Sequence, residues 1–299
     1  MLIDVPTPVR RRALLLGAQR WLDDLPCLIE ELARTWQLSD LSGPFQDATE
    51  AYAVGVTCAD GTRAVLKLIV PRGRDAENEI TALHLAGGRG AVRLLRGDAH
   101  RGALLLERLG ASMHDLSLPT RQREIHLVRA LAQIWRPVQG SHLPTTAQIG
   151  LELAENIEVN WNAATHSTPE NVIRSAQAAA LARAAAYDAR TAVLLHGDAH
   201  QWNALQSERG FALVDPDGLI GDREYDLAVL VREDPWDADA EPREQSRRLA
   251  RSTGTDPDAI WQWSVAQRVH TGLLLCALGI EEEGTAMLEF SRHLAETAA

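Results

Sequence analysis

The stretch LLHGDAHQWNAL, residues 194–205, gathers two histidines, an aspartate, a tryptophan and an asparagine between apolar ends. Asp198 follows His196 by two residues, Asn203 follows Asp198 by five, and Asp215 closes the apolar run Phe211–Val214. Metal binding, acid–base chemistry and a plain polar loop between strands are all open to such a cluster. Phosphoryl transfer from a nucleotide needs this set: a carboxylate for the hydroxyl proton, with an amide oxygen and a second carboxylate holding magnesium against the phosphates. Magnesium takes hard oxygen ligands and few protein groups, which suits one Asn and one Asp. Zinc would require ligand spacing that the compact trio His196, Asp198 and His200 lacks. The plainer alternative for Asp198 and Asn203 is a turn capped by their side chains. DPDG, residues 215–218, is also a good turn sequence by itself; Asp217 and Gly218 can build that turn while Asp215 points at a metal.

The same chemistry needs a cation for the phosphates. RAVLKLIV puts Lys67 on the strand face of Val65 and Ile69. A charge in an apolar strand is costly unless it is paired or faces solvent. Lys67 is then either an edge lysine that discourages aggregation, or a phosphate ligand paired with a helix glutamate. Glu77 and Glu79 both begin the helix that follows. Glu79 is preferred, because Leu83 lies at i+4 beneath it.

These residues must be positioned by the elements around them. Residues 8–38 read as a helix broken by Pro26, packed on the sheet-rich part as an accessory element. EAYAVGVTC and TRAVLKLIVP are strand-like runs joined through Asp60-Gly61, a hairpin signal. DAENEITALHLAGG reads as a helix closed by Gly87 and Gly88, and AVRLLRGDAHRGALLLERL gives two further strands. After Gly110 the texture is helical: residues 121–136, 170–190, 222–232, 242–252, 258–280 and 284–297 carry helical apolar spacing. The segment from Thr191 to Gly218 interrupts them as two short strands with polar loops. The expected fold is α+β, a small sheet-rich lobe followed by a larger helical one.

Length and composition agree with a globular enzyme of two lobes: 299 residues, 45% hydrophobic and 24% charged. The N-terminal apolar stretch Ala13–Ala18 is too short for a signal peptide, and no run reaches the 18 or so apolar residues of a membrane span. Cys27, Cys58 and Cys276 stand far apart, as in a reducing cytoplasm. The net charge of −11 disfavours nucleic acid as a partner. Acidic runs at Glu233, Asp234, Asp237 and Asp239, and at Glu281–Glu283, read as solvated faces or as attraction for a cationic acceptor. Trp236, Trp261 and Trp263 read as core or as a wall for a sugar ring.

HGDAHQWN, VDPDGLIGDREYDLA and GTRAVLKL resemble the aminoglycoside phosphotransferases, which share the bilobal protein-kinase-like fold. LPCLIEELARTWQL, GGRGAVRLL, ALLLERL and VDPDGLIGDREYDLAVLVRED resemble, more closely, the streptomycin 6-kinase and hydroxyurea phosphotransferase family. The resemblance runs from about Leu25 to Glu233, and more weakly across RVHTGLLLCALGIEEEG. It implies a nucleotide-binding lobe over 1–108 and a catalytic and acceptor-binding lobe over 109–299. Asp198 would be the catalytic aspartate, Asn203 and Asp215 the Mg²⁺ ligands, and Lys67 the phosphate ligand oriented by Glu79. Glu107, Arg108 and Leu109 would form the hinge whose backbone meets the adenine of ATP. His196 would brace the catalytic loop, and Asp226 would support it from beneath. The acceptor would be a hydroxyl of an aminoglycoside such as streptomycin, or of hydroxyurea or another small metabolite. A nucleotide-binding protein without catalysis would have no need of the base.

Three departures from that pattern stand out. SGPFQDATEAY has only Gly43 near the turn that would cover the phosphates. The catalytic loop has Ala199, then Gln201-Trp202, where many relatives have leucine, then proline-glycine. ALGIEEEG lacks a tryptophan common in streptomycin-type relatives.

Overall fold

The computed structural model describes residues 3–163, 168–233 and 243–297. Two helices come first, α1 (Thr7–Leu15) and α2 (Gln19–Trp36). The interruption expected at Pro26 falls instead at Gly17, whose φ is 68°; glycine takes that left-handed conformation without steric cost. The Ala18 N–H closes the end of α1 on the Ala13 carbonyl at 2.8 Å. Pro26 lies inside α2, which continues through it.

Next come β1 (Ala51–Thr57), β2 (Arg63–Ile69), α3 (Asp75–Ala86), β3 (Leu94–Asp98) and β4 (Ala103–Glu107). The strands form one antiparallel sheet in the order β1-β2-β4-β3. β2 is therefore central, which removes the edge-strand reading of Lys67. The period of two along β2 sorts its side chains between two cores. Ala64, Leu66 and Leu68 face α1 and α2, packing with Val9, Leu25, Ile29 and Leu32. Val65 and Ile69 face the other way, into a core that runs from Leu83 of α3 to Leu131, Leu194 and Leu213 of the larger lobe. Lys67 shares that second face.

The larger lobe contains α4 (Thr120–Ile134), α5 (Thr146–Ala163), α6 (Glu170–Ala185), α7 (Glu224–Glu233), α8 (Glu244–Thr253), α9 (Pro257–Ala277) and α10 (Glu281–Thr297). α9 is its axis, packed against α5, α6, α7, α8 and α10. The apolar spacing of the sequence does not announce α5. Its buried face includes Thr146, Gly150, Ala154 and Ile157, and glycine and threonine weaken a helical signal. Gly150 serves close approach instead: a Cβ there would lie 2.8 Å from the Ala180 carbonyl oxygen of α6.

The region read as two strands holds three, and a fourth follows directly after Gly218. β5 (Val193–Leu195) pairs with β8 (Leu219–Gly221), and between them β6 (Ala204–Ser207) pairs with β7 (Gly210–Leu213). This nesting sets the loop 196–203 beside the loop 214–218. The lobes are also tied through backbone: Val92 N–H donates to Leu213 O at 2.8 Å, and Leu213 N–H to Gly90 O at 2.9 Å. Among the described residues, no helix is long and apolar enough to cross a membrane.

Candidate active site

Lys67 is 7% exposed and Glu79 6%. The Lys67 Nζ donates to both Glu79 carboxylate oxygens at 2.7 Å and to Asp215 Oδ1 at 2.9 Å. A strand of the small lobe, the helix packed on it and a loop of the larger lobe thus converge on one ammonium. Burial alone would lower its pKa, but the carboxylates of Asp215 and Glu79 hold it above the ordinary lysine range. Glu77, the alternative partner, points elsewhere and pairs with Arg74 at 2.8 Å.

Asp215 reaches Lys67 because its backbone is left-handed, with φ 58°, a conformation that Asp tolerates better than most residues. Half of its side chain remains accessible to solvent. Asn203 is brought alongside by the inner hairpin: Ala204 pairs with Leu213, and Val214 N–H donates to Asn203 O at 2.8 Å. Asn203 Nδ2 donates to the Asp198 carbonyl at 3.0 Å and to Asp198 Oδ2 at 3.3 Å. That use of the amide nitrogen leaves Oδ1 for a cation.

Asp198 is held from both sides of its carboxylate. Its Oδ1 accepts from Arg232 Nη2 at 2.6 Å, and its Oδ2 from His200 Nε2 at 3.1 Å. Burial would raise its pKa, but the adjacent guanidinium and imidazole hold the carboxyl well below the usual carboxylate range. His196 is fully buried. Its Nε2–H donates to Val214 O at 2.9 Å, and its Nδ1 accepts from Asp198 N–H at 3.2 Å. This pair of contacts defines a neutral tautomer, and burial lowers the group to about 4. His196 therefore cross-links the loops that carry Asp198 and Asp215.

Asp226 lies beneath, fully buried at the start of α7. It accepts from His196 N–H at 3.1 Å, Gly197 N–H at 2.7 Å and Trp135 Nε1–H at 2.9 Å. Two amides of the loop are thus satisfied from below. Gly197 needs φ 93°, and a Cβ there would fall 2.8 Å from that of Asp217. The glycine therefore permits the two acidic loops to approach.

At the end of β4, the N–H groups flanking Leu109 are both committed, Arg108 to Arg63 O at 3.3 Å and Gly110 to Gln206 O at 2.9 Å. The Glu107 carboxylate is committed to Arg93: it accepts from Arg93 N–H at 2.8 Å and pairs with Arg93 Nη2 at 3.3 Å. Arg108 lies over the Phe45 ring at 4.5 Å. Residues 39–45 run beside β1, bridging Ser39 to Thr57 and Pro44 to Val54. The turn before β1 is therefore made by the glycine-free residues 46–50.

Several side chains of the site are given no role in phosphoryl transfer by residue type and spacing. Arg232 lies in the last turn of α7, in which Tyr225–Val231 are all buried, and its guanidinium is paired with Asp198 and Glu233. His200, which the sequence suggests only as a zinc ligand, instead orients Asp198. Trp135 supplies a hydrogen bond that no motif announces. Trp263 is fully buried, donates to Asp222 at 2.9 Å and is core, while Trp261 lies under Arg243. Glu233 pairs with Arg232 at 2.8 Å, and Glu281–Glu283 are exposed. Asp234, Trp236, Asp237 and Asp239 lie outside the described residues.

Comparison with known proteins places this arrangement. The chain is 32% identical over 215 residues to a hydroxyurea phosphotransferase of Kitasatospora aureofaciens, which covers 71% of the chain and 62% of that protein. It is 29% identical over 300 residues to a streptomycin 6-kinase of Streptomyces glaucescens, covering 96% and 94% respectively. The fold is that of aminoglycoside phosphotransferase APH(4)-Ia, solved with ADP and hygromycin B: TM-score 0.65, 16% identity, 90% of this chain and 98% of that one. Residues 35–276 match the family model for aminoglycoside/hydroxyurea antibiotic resistance kinases, and the chain belongs to that family.

Proposed function

We propose that this protein transfers the γ-phosphoryl group of ATP to a hydroxyl of an aminoglycoside, with streptomycin as the acceptor. The observation that carries the reading is the convergence, from three separate elements, of Lys67, Glu79 and Asp215 beside the loop that holds Asp198 and Asn203. Nucleotide would lie between the lobe of residues 1–108 and that of residues 109–299. Adenine would meet the backbone at Glu107–Leu109, where the Glu107 and Arg108 N–H groups already donate to Arg93 O and Arg63 O. A donor of this kind, abundant in the cytoplasm, supports a cytoplasmic location. Family membership and the likeness to streptomycin 6-kinase over nearly the whole chain support the acceptor.

Asn203 and Asp215 offer hard oxygens on adjacent loops, a donor set that fits Mg²⁺. When bound, the ion neutralises charge on the phosphates. Lys67, oriented by Glu79, adds a fixed positive charge to the same task. Asp198, kept ionised, accepts the hydrogen bond of the acceptor hydroxyl and aims its oxygen at the γ-phosphorus. Such a weak base takes the proton late, so positioning supplies most of its contribution. His196 and Asp226 hold the loop in place and never contact the reactants.

ADP release by the purified protein with Mg·ATP, with and without streptomycin, tests the proposal. Streptomycin-dependent turnover should fall by about 10²–10⁴-fold in Asp198→Ala while nucleotide still binds. Turnover retained in that variant would sink the assignment. Hydroxyurea belongs in the same assay, because the match to hydroxyurea phosphotransferase has the higher identity over its shorter span.

A further inference from the structure

Each carboxylate oxygen offers two lone-pair positions. At Asp198, Oδ2 meets two donors, His200 Nε2 at 3.1 Å and Asn203 Nδ2 at 3.3 Å. His200 is a donor there because its Nδ1 accepts the Trp202 N–H at 3.3 Å, which leaves the proton on Nε2. Oδ1 meets one donor among the described residues, Arg232 Nη2 at 2.6 Å. Three of the four positions are therefore occupied. The fourth is on Oδ1, next to the guanidinium.

Arg232 is itself held firmly. Its Nε donates to Glu233 Oε1 at 2.8 Å, and only 14% of its side chain is accessible. The carbonyls of Val231 and Arg232 accept from Arg268 Nη2 of α9 at 2.9 and 2.5 Å. The last turn of α7 is thereby pinned to the axial helix of the lobe, and the guanidinium is placed before any acceptor arrives.

We infer that Arg232 is a positioning residue for phosphoryl transfer: by filling one side of Asp198 Oδ1 it directs the remaining lone pair at the acceptor hydroxyl, and it keeps a fixed positive charge beside the oxygen that becomes phosphorylated. The inference rests on the proposed function, in which Asp198 serves that hydroxyl. In the reaction the acceptor oxygen forms its bond to the γ-phosphorus as the bond to the bridging oxygen breaks. That electron pair departs with ADP, and the hydroxyl proton passes to Asp198 Oδ1. A guanidinium stays protonated throughout and cannot take the proton. Arg232 therefore acts through the orientation of Asp198 and through its charge. A guanidinium that only neutralised a buried carboxylate would affect stability and leave turnover of the folded protein alone.

The test compares wild-type protein with Arg232→Gln and Arg232→Lys. It follows ADP release with streptomycin and with water as acceptor, nucleotide affinity by a fluorescent ATP analogue, and folding by circular dichroism. Arg232→Gln should bind nucleotide within about twofold of wild type and lose roughly 10²-fold in kcat, the scale of a misplaced reacting group. Millimolar guanidinium should restore part of that loss. Arg232→Lys should fall between the two, since a point charge lacks the planar fork. A folded Arg232→Gln with wild-type kcat overturns the inference, and so does a loss that neither guanidinium nor lysine mitigates. Should Arg232→Gln fail to fold, an unchanged kcat in Arg232→Lys overturns it equally. Wild-type protein that binds Mg·ATP but turns over neither acceptor overturns the proposed function and this inference together; variants matching an active wild type overturn this inference alone.

Discussion

Lys67 shows how a single side chain is used by two parts of the molecule. Buried on the face of the central strand that carries Val65 and Ile69, it is held by Glu79 from its own lobe and by Asp215 from the other. Removing one partner of such a pair leaves a buried uncompensated charge, at a cost of about 3–5 kcal/mol. Lys67→Met should therefore unfold at markedly lower denaturant and bind nucleotide weakly. The double variant Lys67→Met with Glu79→Leu should regain most of the stability, because the orphaned carboxylate is gone, yet still bind nucleotide weakly. Urea unfolding together with nucleotide titration separates the two effects. A double variant as unstable as the single one would show that the pair is not the source of the loss. At this scale Asp198, Asn203, Asp215 and Lys67 are legible in the sequence from their types and spacing. Arg232 and Trp135 are not, because neither belongs to the spacing: they come from α7 and from the end of α4, and only packing brings them to the loop.

Among the elements, the nested strand pairs carry the site. The inner hairpin β6–β7 sets Asn203 beside Val214, the outer pair β5–β8 closes the loops on each other, and Asp226 satisfies the loop amides from below. Gly90 joins this unit to the small lobe. It has φ 68°, and a Cβ there would fall 2.0 Å from the Ala130 carbonyl oxygen of α4. Gly90→Ala should therefore cost about 1–3 kcal/mol from backbone strain alone, with the overlap adding to it. It should also raise the KM for ATP, since Gly90 O and Val92 N–H both bond to Leu213, two residues before Asp215. Unfolding midpoints and ATP kinetics measured on the same preparation test this, and wild-type values for both would refute it. Strand alternation, the hairpin at Asp60-Gly61 and six of the larger lobe's helices are readable from periodicity. α5 is not, since its face carries Gly150 and Thr146 where a helical pattern needs larger apolar residues. Nor is the break at Gly17, where proline looks the stronger breaker; a proline in a long amphipathic helix costs a hydrogen bond that packing can outweigh.

Across the whole molecule, charge is the property most open to test. The net charge of −11 sets up an attractive field for a cationic acceptor and a repulsive one for nucleotide. Raising salt from low ionic strength to about 0.15 M shortens the Debye length to about 8 Å. kcat/KM for streptomycin should then fall several-fold, with kcat little changed, and hydroxyurea, being neutral, should show no such dependence. Equal salt dependence for both acceptors would remove any role for electrostatic attraction.

The sequence by itself determined the chemistry on offer, the division into a sheet-rich and a helical part, and the family. Each of these depends on residue types at short, regular separations, which local geometry preserves. Only the tertiary structure decided that Asp215 joins Glu79 on Lys67, that the lysine sits on a central rather than an edge strand, and that Arg232 and His200 occupy three-quarters of the Asp198 carboxylate together with Asn203. The two contacts of Lys67 alone span 12 and 148 residues of chain. Over such separations the packing of two cores against one sheet, and no local preference, fixes which side chains meet.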